Sequence, residues 1–179
     1  MKIFITGAPG IGKTTVVQRV MELLKEKGLN AGGIYCPEIR INNVRLGFEI
    51  VDLFTGRKGI LSHVNQQQGP RIGRYKVNLK DLSNIGVDAL NRALREADYI
   101  IIDEVGPMEL QGKDFQGAVL YVVEGPKPVL GILHWKMSHA IIDAIKARKD
   151  VKIYEITYKN RETIPNIIAM EILEVMQAI

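Results

Sequence analysis

Eight residues near the start of the chain, Gly7-Ala8-Pro9-Gly10-Ile11-Gly12-Lys13-Thr14, match the pattern G-x-x-x-x-G-K-[ST] at every fixed position. Their context constrains the fold further. Ile3, Phe4 and Ile5 form a short apolar run that reads as a buried strand. Val16, Val17, Val20, Leu23 and Leu24 then recur at helical spacing, and Gly28 supplies a stop. A strand, a glycine-rich turn and an amphipathic helix in immediate succession build an anion site. Glycines let the backbone curl until several N–H groups face one point, and the positive end of the helix dipole lies behind them. Lys13 then reaches the β and γ phosphates of a nucleotide, and the Thr14 hydroxyl is placed to ligate Mg²⁺. Thr15 reads either as a further phosphate contact or simply as a residue of the helix start.

The rest of the chain repeats the alternation. Ala31–Cys36, Tyr99–Ile102, Pro128–Leu133 and Val151–Ile156 read as strands. Helical faces run through Leu82, Ile85, Ala89, Leu90, Ala93 and Leu94 (weakened at Gly86), through Phe115–Val123, through Met137–Ala147, and from Thr163 to Val175. The alternation predicts a three-layer α/β fold of the P-loop NTPase type, with a mostly parallel central sheet. Between about residues 40 and 78 the rhythm fails. Arg45–Leu53 alternates apolar and polar residues and is followed by a turn at Thr55–Gly59, which predicts one inserted antiparallel hairpin. Residues 62–73 read as a mobile polar loop. The 179 residues are expected to form one domain carrying this insertion.

In such sheets ligands gather at the carboxyl ends of the strands. Tyr99-Ile100-Ile101-Ile102 delivers Asp103 and Glu104 to that edge. An aspartate there holds Mg²⁺, here most simply through water, and an adjacent glutamate polarises the attacking water as general base. The adjacent acidic pair also favours a topology in which one strand separates the phosphate-loop strand from the acidic one. Asp103-Glu104-Val105-Gly106 fits D-x-x-G as well, where the Gly106 amide would sense a γ-phosphate. The chain has no N-K-x-D, which argues against a guanine-selective switch. Arg40 and Arg161 are candidates for an added cation at the ligand edge, and Arg45, Arg71 and Arg74 could reach it from the insertion. Asn160-Arg161 directly follows the last strand, beside the place expected for the nucleotide base. His63, His134 and His139 lack metal-ligand spacing. Trp135 reads either as a base-stacking residue or as a partly buried structural one.

Taken together these segments resemble the small nucleoside-triphosphatases described as cancer-related in animals and also found in thermophilic prokaryotes. The resemblance is carried by Gly7–Thr15, by Gly32-Gly33-Ile34-Tyr35 with Glu38-Ile39-Arg40, by Arg45-Leu46-Gly47-Phe48, by Gly73-Arg74-Tyr75-Lys76-Val77, by Ile102–Leu110 and by Asn160-Arg161. It implies Mg²⁺-dependent hydrolysis of nucleoside triphosphates (ATP, GTP, CTP and UTP) to diphosphate and phosphate, with loose base selectivity and weaker action on diphosphates. It also implies nucleotide contacts from Gly7–Thr14 and Tyr99–Gly106. Two segments depart from the pattern. Pro107 stands where the family usually has Lys, and Leu133–Met137 lacks the proline expected there.

Composition sets the remaining bounds. No apolar stretch approaches the ~18 residues of a membrane span, and the single cysteine, Cys36, suits a reducing, cytoplasmic setting. A net charge of +4 suits a phosphate-bearing ligand and is weak evidence for nucleic acid. A protein partner is left unidentified. Two rival readings stay open on sequence alone: a small-molecule or nucleotide kinase whose acceptor replaces water, and a module whose nucleotide cycle resets a partner interaction.

Overall fold

The computed structural model describes residues 1–177. In chain order the elements are β1 (Lys2–Thr6), α1 (Lys13–Lys25), β2 (Ala31–Tyr35), β3 (Glu38–Ile41), β4 (Val44–Asp52), β5 (Lys58–His63), β6 (Arg71–Ile72) and β7 (Tyr75–Val77). They continue with α2 (Leu79–Asp81), a π-helical stretch (Leu82–Val87), α3 (Asp88–Glu96), β8 (Tyr99–Val105) and a 3₁₀ turn (Glu109–Gln111). The chain then forms α4 (Lys113–Glu124), β9 (Val129–Leu133), α5 (Ala140–Lys146), β10 (Val151–Glu155) and α6 (Ile164–Gln177).

One sheet runs in the order β10-β1-β9-β8-β2-β4-β5-β7-β6, with β3 also paired to β4. The strands β10, β1, β9, β8 and β2 are mutually parallel. Their continuous apolar runs follow from helices on both faces. Because strand side chains alternate, Phe4, Ile100, Ile102 and Val129 pack with Leu90, Val119 and Ile142 on one face. Ile3, Ile5, Tyr99, Ile101 and Leu130 pack with Val16, Val20, Leu24 and Ile168 on the other. Helix α3 packs directly on β2. A Cβ on Gly32 would stand 2.7 Å from those of Ala93 and Ala97. Strand β9 separates β1 from β8, as the acidic pair predicts.

The inserted part is larger than the single hairpin expected. It is an antiparallel wing of β3 to β7 that extends the parallel sheet through the β2–β4 pair. Asn42 and Asn43, both at positive φ, make the tight turn between β3 and β4. The stretch 62–73 expected as a mobile loop contains the end of β5 and all of β6, which leaves 64–70 and Gly73 outside strands. The helix expected from Leu82 is interrupted in its winding. Its π stretch includes Gly86, where a Cβ would lie 2.9 Å from Ile50 Cδ1 of the wing, so the helix crosses β4 with no room for a side chain. The helix expected over 137–147 is shorter, because His139 caps it by accepting a hydrogen bond from the Ile141 N–H. The acidic strand is longer than expected. It runs on through Asp103 and Glu104 to Val105, which pairs with Leu133 past an irregularity in the ladder.

Candidate active site

The loop after β1 owes its path to three glycines at positive φ, namely Gly7 (147°), Gly10 (75°) and Gly12 (104°). Gly12 is the N-cap of α1. No side chain caps this helix, and its first turn carries no acidic residue. Its leading N–H groups are therefore left to an incoming acceptor. Buried Ile11 anchors the loop, and the Ile11 N–H closes a turn onto Ala8 O at 3.2 Å. Lys13 folds back over the loop and donates to Gly7 O (2.8 Å) and Ala8 O (3.1 Å). Burial lowers its pKa from the usual lysine value, and the charge of Glu104 opposes that shift.

The acidic end of β8 faces this loop. Thr14 Oγ1 stands 3.5 Å from Asp103 Oδ1, while Asp103 Oδ2 accepts the Cys36 N–H at 2.7 Å. Burial raises Asp103 to about 6, against the Cys36 hydrogen bond, with the neighbouring Glu104 charge adding to the rise. Burial raises Glu104 also, while His134 and Lys13 pull it back. Gly106 lies under the Glu104 side chain, so close that a Cβ there would approach Glu104 Cδ to 3.0 Å. Glu109, only 5% exposed, was absent from the expected site apart from its place in the family-like segment. Burial and then the Glu104 charge push it to about 8, so at neutral pH it is mainly an uncharged carboxylic acid.

A cavity of about 570 Å³ joins these parts. The phosphate-loop residues Gly7, Gly10, Gly12, Lys13 and Thr14 line one side, and Asp103, Glu104 and Glu109 line the floor. The wing closes the other side with Glu38, Arg45, Phe48 and Ile72. Ser62 of the wing donates to Met108 Sδ at 3.1 Å, tying the wing to the segment after β8. Of the arginines weighed from sequence, Arg45 alone lines the cavity among the described residues. His134 lines it too, with its Nδ1 buried and without a hydrogen-bond partner. The spacing of His134 rules out a metal-ligand role, and no other role was assigned to it from sequence. Its position at the carboxyl end of β9, on the ligand edge, is the signal that would have found it.

Other expected residues fall elsewhere. Thr15 is exposed in the first turn of α1 and does not line the cavity. Asn160 closes the turn after β10 by accepting the Thr157 N–H (2.8 Å) and donating to Glu155 O (2.9 Å). Arg161 stacks over Tyr158 at 5.1 Å and pairs with Glu162. Neither lines the cavity, although β10 abuts the phosphate loop where a Gly7 Cβ would meet Ile156 O at 2.8 Å. Trp135 lines the rim, 37% exposed, with the Lys136 ammonium 4.4 Å from its ring centre.

Comparison with known proteins agrees with this geometry. The sequence model of the NTPase family matches residues 2–169. A nucleoside-triphosphatase THEP1 from Thermofilum pendens is 44% identical, over 94% of this chain and 93% of its own length. The protein of the same name from Methanosarcina acetivorans is 46% identical, over 92% and 93%. Among solved structures, THEP1 from the hyperthermophile Aquifex aeolicus superposes with a TM-score of 0.82 at 34% identity, covering 94% of this chain and 96% of that one. The solution structure of a human cancer-related nucleoside triphosphatase gives 0.81 at 32%, covering 96% of both. The chain therefore belongs to the NTPase family, as an enzyme of the nucleoside-triphosphatase kind.

Proposed function

We propose that this nucleoside-triphosphatase cleaves the bond between the β and γ phosphates of ATP, GTP, CTP and UTP with Mg²⁺, releasing nucleoside diphosphate and orthophosphate, and acts more weakly on nucleoside diphosphates. The observation that carries the reading is the convergence of Lys13 and Thr14 on Asp103 and Glu104 across one cavity. The phosphate loop Gly7–Thr14 cradles the β and γ phosphates with its N–H groups, and Lys13 exchanges its loop carbonyls for phosphate oxygens. Glu104 takes a proton from the attacking water. Burial raises its basicity, and neutral Glu109 beside it adds no second repelling charge at pH 7.

The donor set fits magnesium. Thr14 Oγ1 and Asp103 offer only oxygen, and no group of three or more His, Cys, Asp or Glu side chains among the described residues is arranged to hold a metal. That matches a hard ion that keeps several waters and uses one or two side chains besides the substrate's phosphates. Thr14, and Asp103 through water, would hold it, and the bound ion supplies charge neutralisation on the β and γ oxygens.

Broad base selection is supported by what converges. The groups in the cavity suit phosphate, metal and water, and no N-K-x-D segment selects guanine. The base lies toward the Thr157–Arg161 turn, where Asn160 and Arg161 form its flank and β10 abuts the phosphate loop. The continuous sheet shared by both halves supports a single domain with an insertion at about residues 40–78. No helix among the described residues is long and apolar enough to cross a membrane, and the free Cys36 suits the cytoplasm. Phosphorus NMR with each triphosphate and Mg²⁺ tests the reaction. Orthophosphate and nucleoside diphosphate appear from several bases with the wild type and not with Glu104→Gln; tight binding without turnover would refute the hydrolase reading.

A further inference from the structure

The wing supplies one cation to the cavity, and its surroundings set it apart from the other arginines. Arg40 is held at the β3–β4 end by Glu38 (2.6 Å) and Asn43 O (2.9 Å). Arg74 donates to the Tyr75 hydroxyl and to the backbone carbonyl of Arg45. Arg45 itself faces the same cavity as Lys13 and Glu104. Its Nε donates to the Tyr75 hydroxyl at 3.0 Å and its Nη1 to Glu38 Oε1 at 2.7 Å. The guanidinium carbon lies 5.2 Å from the Phe48 ring centre and 5.9 Å from that of Tyr75. Nη2 is the one nitrogen of this guanidinium without a hydrogen-bond partner among the described residues.

Two features make this more than a surface ion pair. Glu38 is shared between two arginines, so the trio of Arg40, Glu38 and Arg45 keeps a net positive charge. The guanidinium is also held in place by the protein's own groups, so little ordering is left for the reaction to impose. A fixed cation with one free donor, across the cavity from a phosphate loop, is the arrangement that stabilises a phosphoryl group in transfer.

We propose that Arg45 is a catalytic residue, a cation carried in cis by the inserted wing that contacts the γ-phosphoryl oxygens through Nη2. This rests on the hydrolase reading above. The oxygen of water forms the new bond to the γ phosphorus while the bond to the β-bridging oxygen breaks. The electron pair leaves with the nucleoside diphosphate, and the water proton passes to Glu104. Arg45 meets the negative charge on the γ oxygens during this exchange. Because the chain brings its own arginine, full turnover needs no activating partner protein.

The test compares wild type, Arg45→Ala, Arg45→Lys, Glu104→Gln and, as a charge control, Arg95→Ala, by steady-state kinetics with ATP and Mg²⁺. Binding of a non-hydrolysable ATP analogue is measured by calorimetry alongside. Arg45→Ala is expected to lose at least about a hundredfold in kcat, with analogue affinity within about threefold of wild type. Added guanidinium ion is expected to restore part of the lost rate, and Arg45→Lys to fall between. Should Arg45→Ala not fold, Arg45→Lys carries the test through the same split between kcat and affinity. A kcat loss under tenfold, or equal losses of kcat and affinity without guanidinium rescue, overturns the proposal. Undiminished hydrolysis by Glu104→Gln overturns the base assignment instead, and Arg45 is still judged by its own variants.

Discussion

The parallel half of the sheet and the antiparallel wing reach order by different means. In the parallel half, β1, β8 and β9 are buried almost end to end, because helices cover both faces. In the wing, β3 is largely exposed, and β4 and β5 bury only some of their residues. Polar and cation–aromatic contacts supply much of the rest, among them Arg45 on Phe48 and Tyr75, and Asp81 accepting the Ile60 N–H at 2.8 Å. The contrast separates two jobs. The parallel half, covered on both faces, sets the phosphate loop and the acidic strand end in register, and the wing, which joins the same core through Ile50, Leu61 and Val77, walls the cavity.

The sharpest way to break this division is at the parallel half's chemical groups. Glu104→Gln is expected to lower kcat by about 10²–10⁴ while leaving nucleotide affinity near wild type, since the amide cannot accept the water proton. Lys13→Ala is expected to weaken nucleotide binding as well as turnover, because the loop loses its cation. Titration calorimetry beside steady-state kinetics separates the two patterns. Normal binding and turnover in Lys13→Ala would remove the loop from the site.

A stability comparison comes next in size. Ile102, fully buried in β8, is expected to cost about 2–5 kcal/mol on truncation to Ala, through lost transfer energy and a residual cavity. Val44, 51% exposed at the start of β4, is expected to cost within about 0.5 kcal/mol when changed to Ala. Chemical denaturation of the two variants measures both. Equal costs would mean that the wing is as tightly built as the core.

A further expected effect is a slope with pH. Glu109 in the folded state is raised to about 8 from an ordinary value of 4.5, so between those limits the folded chain holds a proton that the unfolded chain has released. Its contribution therefore favours folding at low pH and is lost as pH rises through that window, levelling off above about 8. Asp103, raised from 3.8 to about 6, adds to the slope at the acid end of the window. Melting temperature followed across pH 5–9 is expected to decline less steeply in Glu109→Gln than in wild type. Parallel curves would show that Glu109 ionises normally.

The difference between the halves also decides what the sequence reveals. Unbroken apolar runs such as Tyr99–Ile102 and the fixed spacing of Gly7–Thr14 carry a strong signal, because burial on two faces and tight phosphate geometry admit few residue types. Hence the parallel sheet, its helices and the β1–β9–β8 order were legible, and so was the placing of Lys13, Thr14, Asp103 and Glu104 about one cavity. The wing was not. Strand β3 directly follows Pro37 with exposed, mixed residues, and its one clear sign is the Asn42-Asn43 turn. The polar run through Gln66, Gln67 and Gln68 reads as a mobile loop, while β5 and β6 on either side of residues 64–70 are both held by β7, which lies beyond that run. Arg45 looked no different from Arg71 or Arg74, since only folding brings Glu38, Phe48 and Tyr75 around it.

One contact at the junction of the halves has an unusual genetic signature. Asp103 receives its shortest hydrogen bond from the peptide nitrogen of Cys36, where the chain leaves β2 for the wing. Almost any side chain at position 36 leaves that donor in place, so the bond is robust to ordinary missense change and silent in an alanine scan. Proline, which has no N–H to give, is the one residue that abolishes it. The orientation of this acid is thus encoded in the route of the main chain, and rerouting that path, for instance by shortening the wing, would alter the active centre without touching a single active-site side chain.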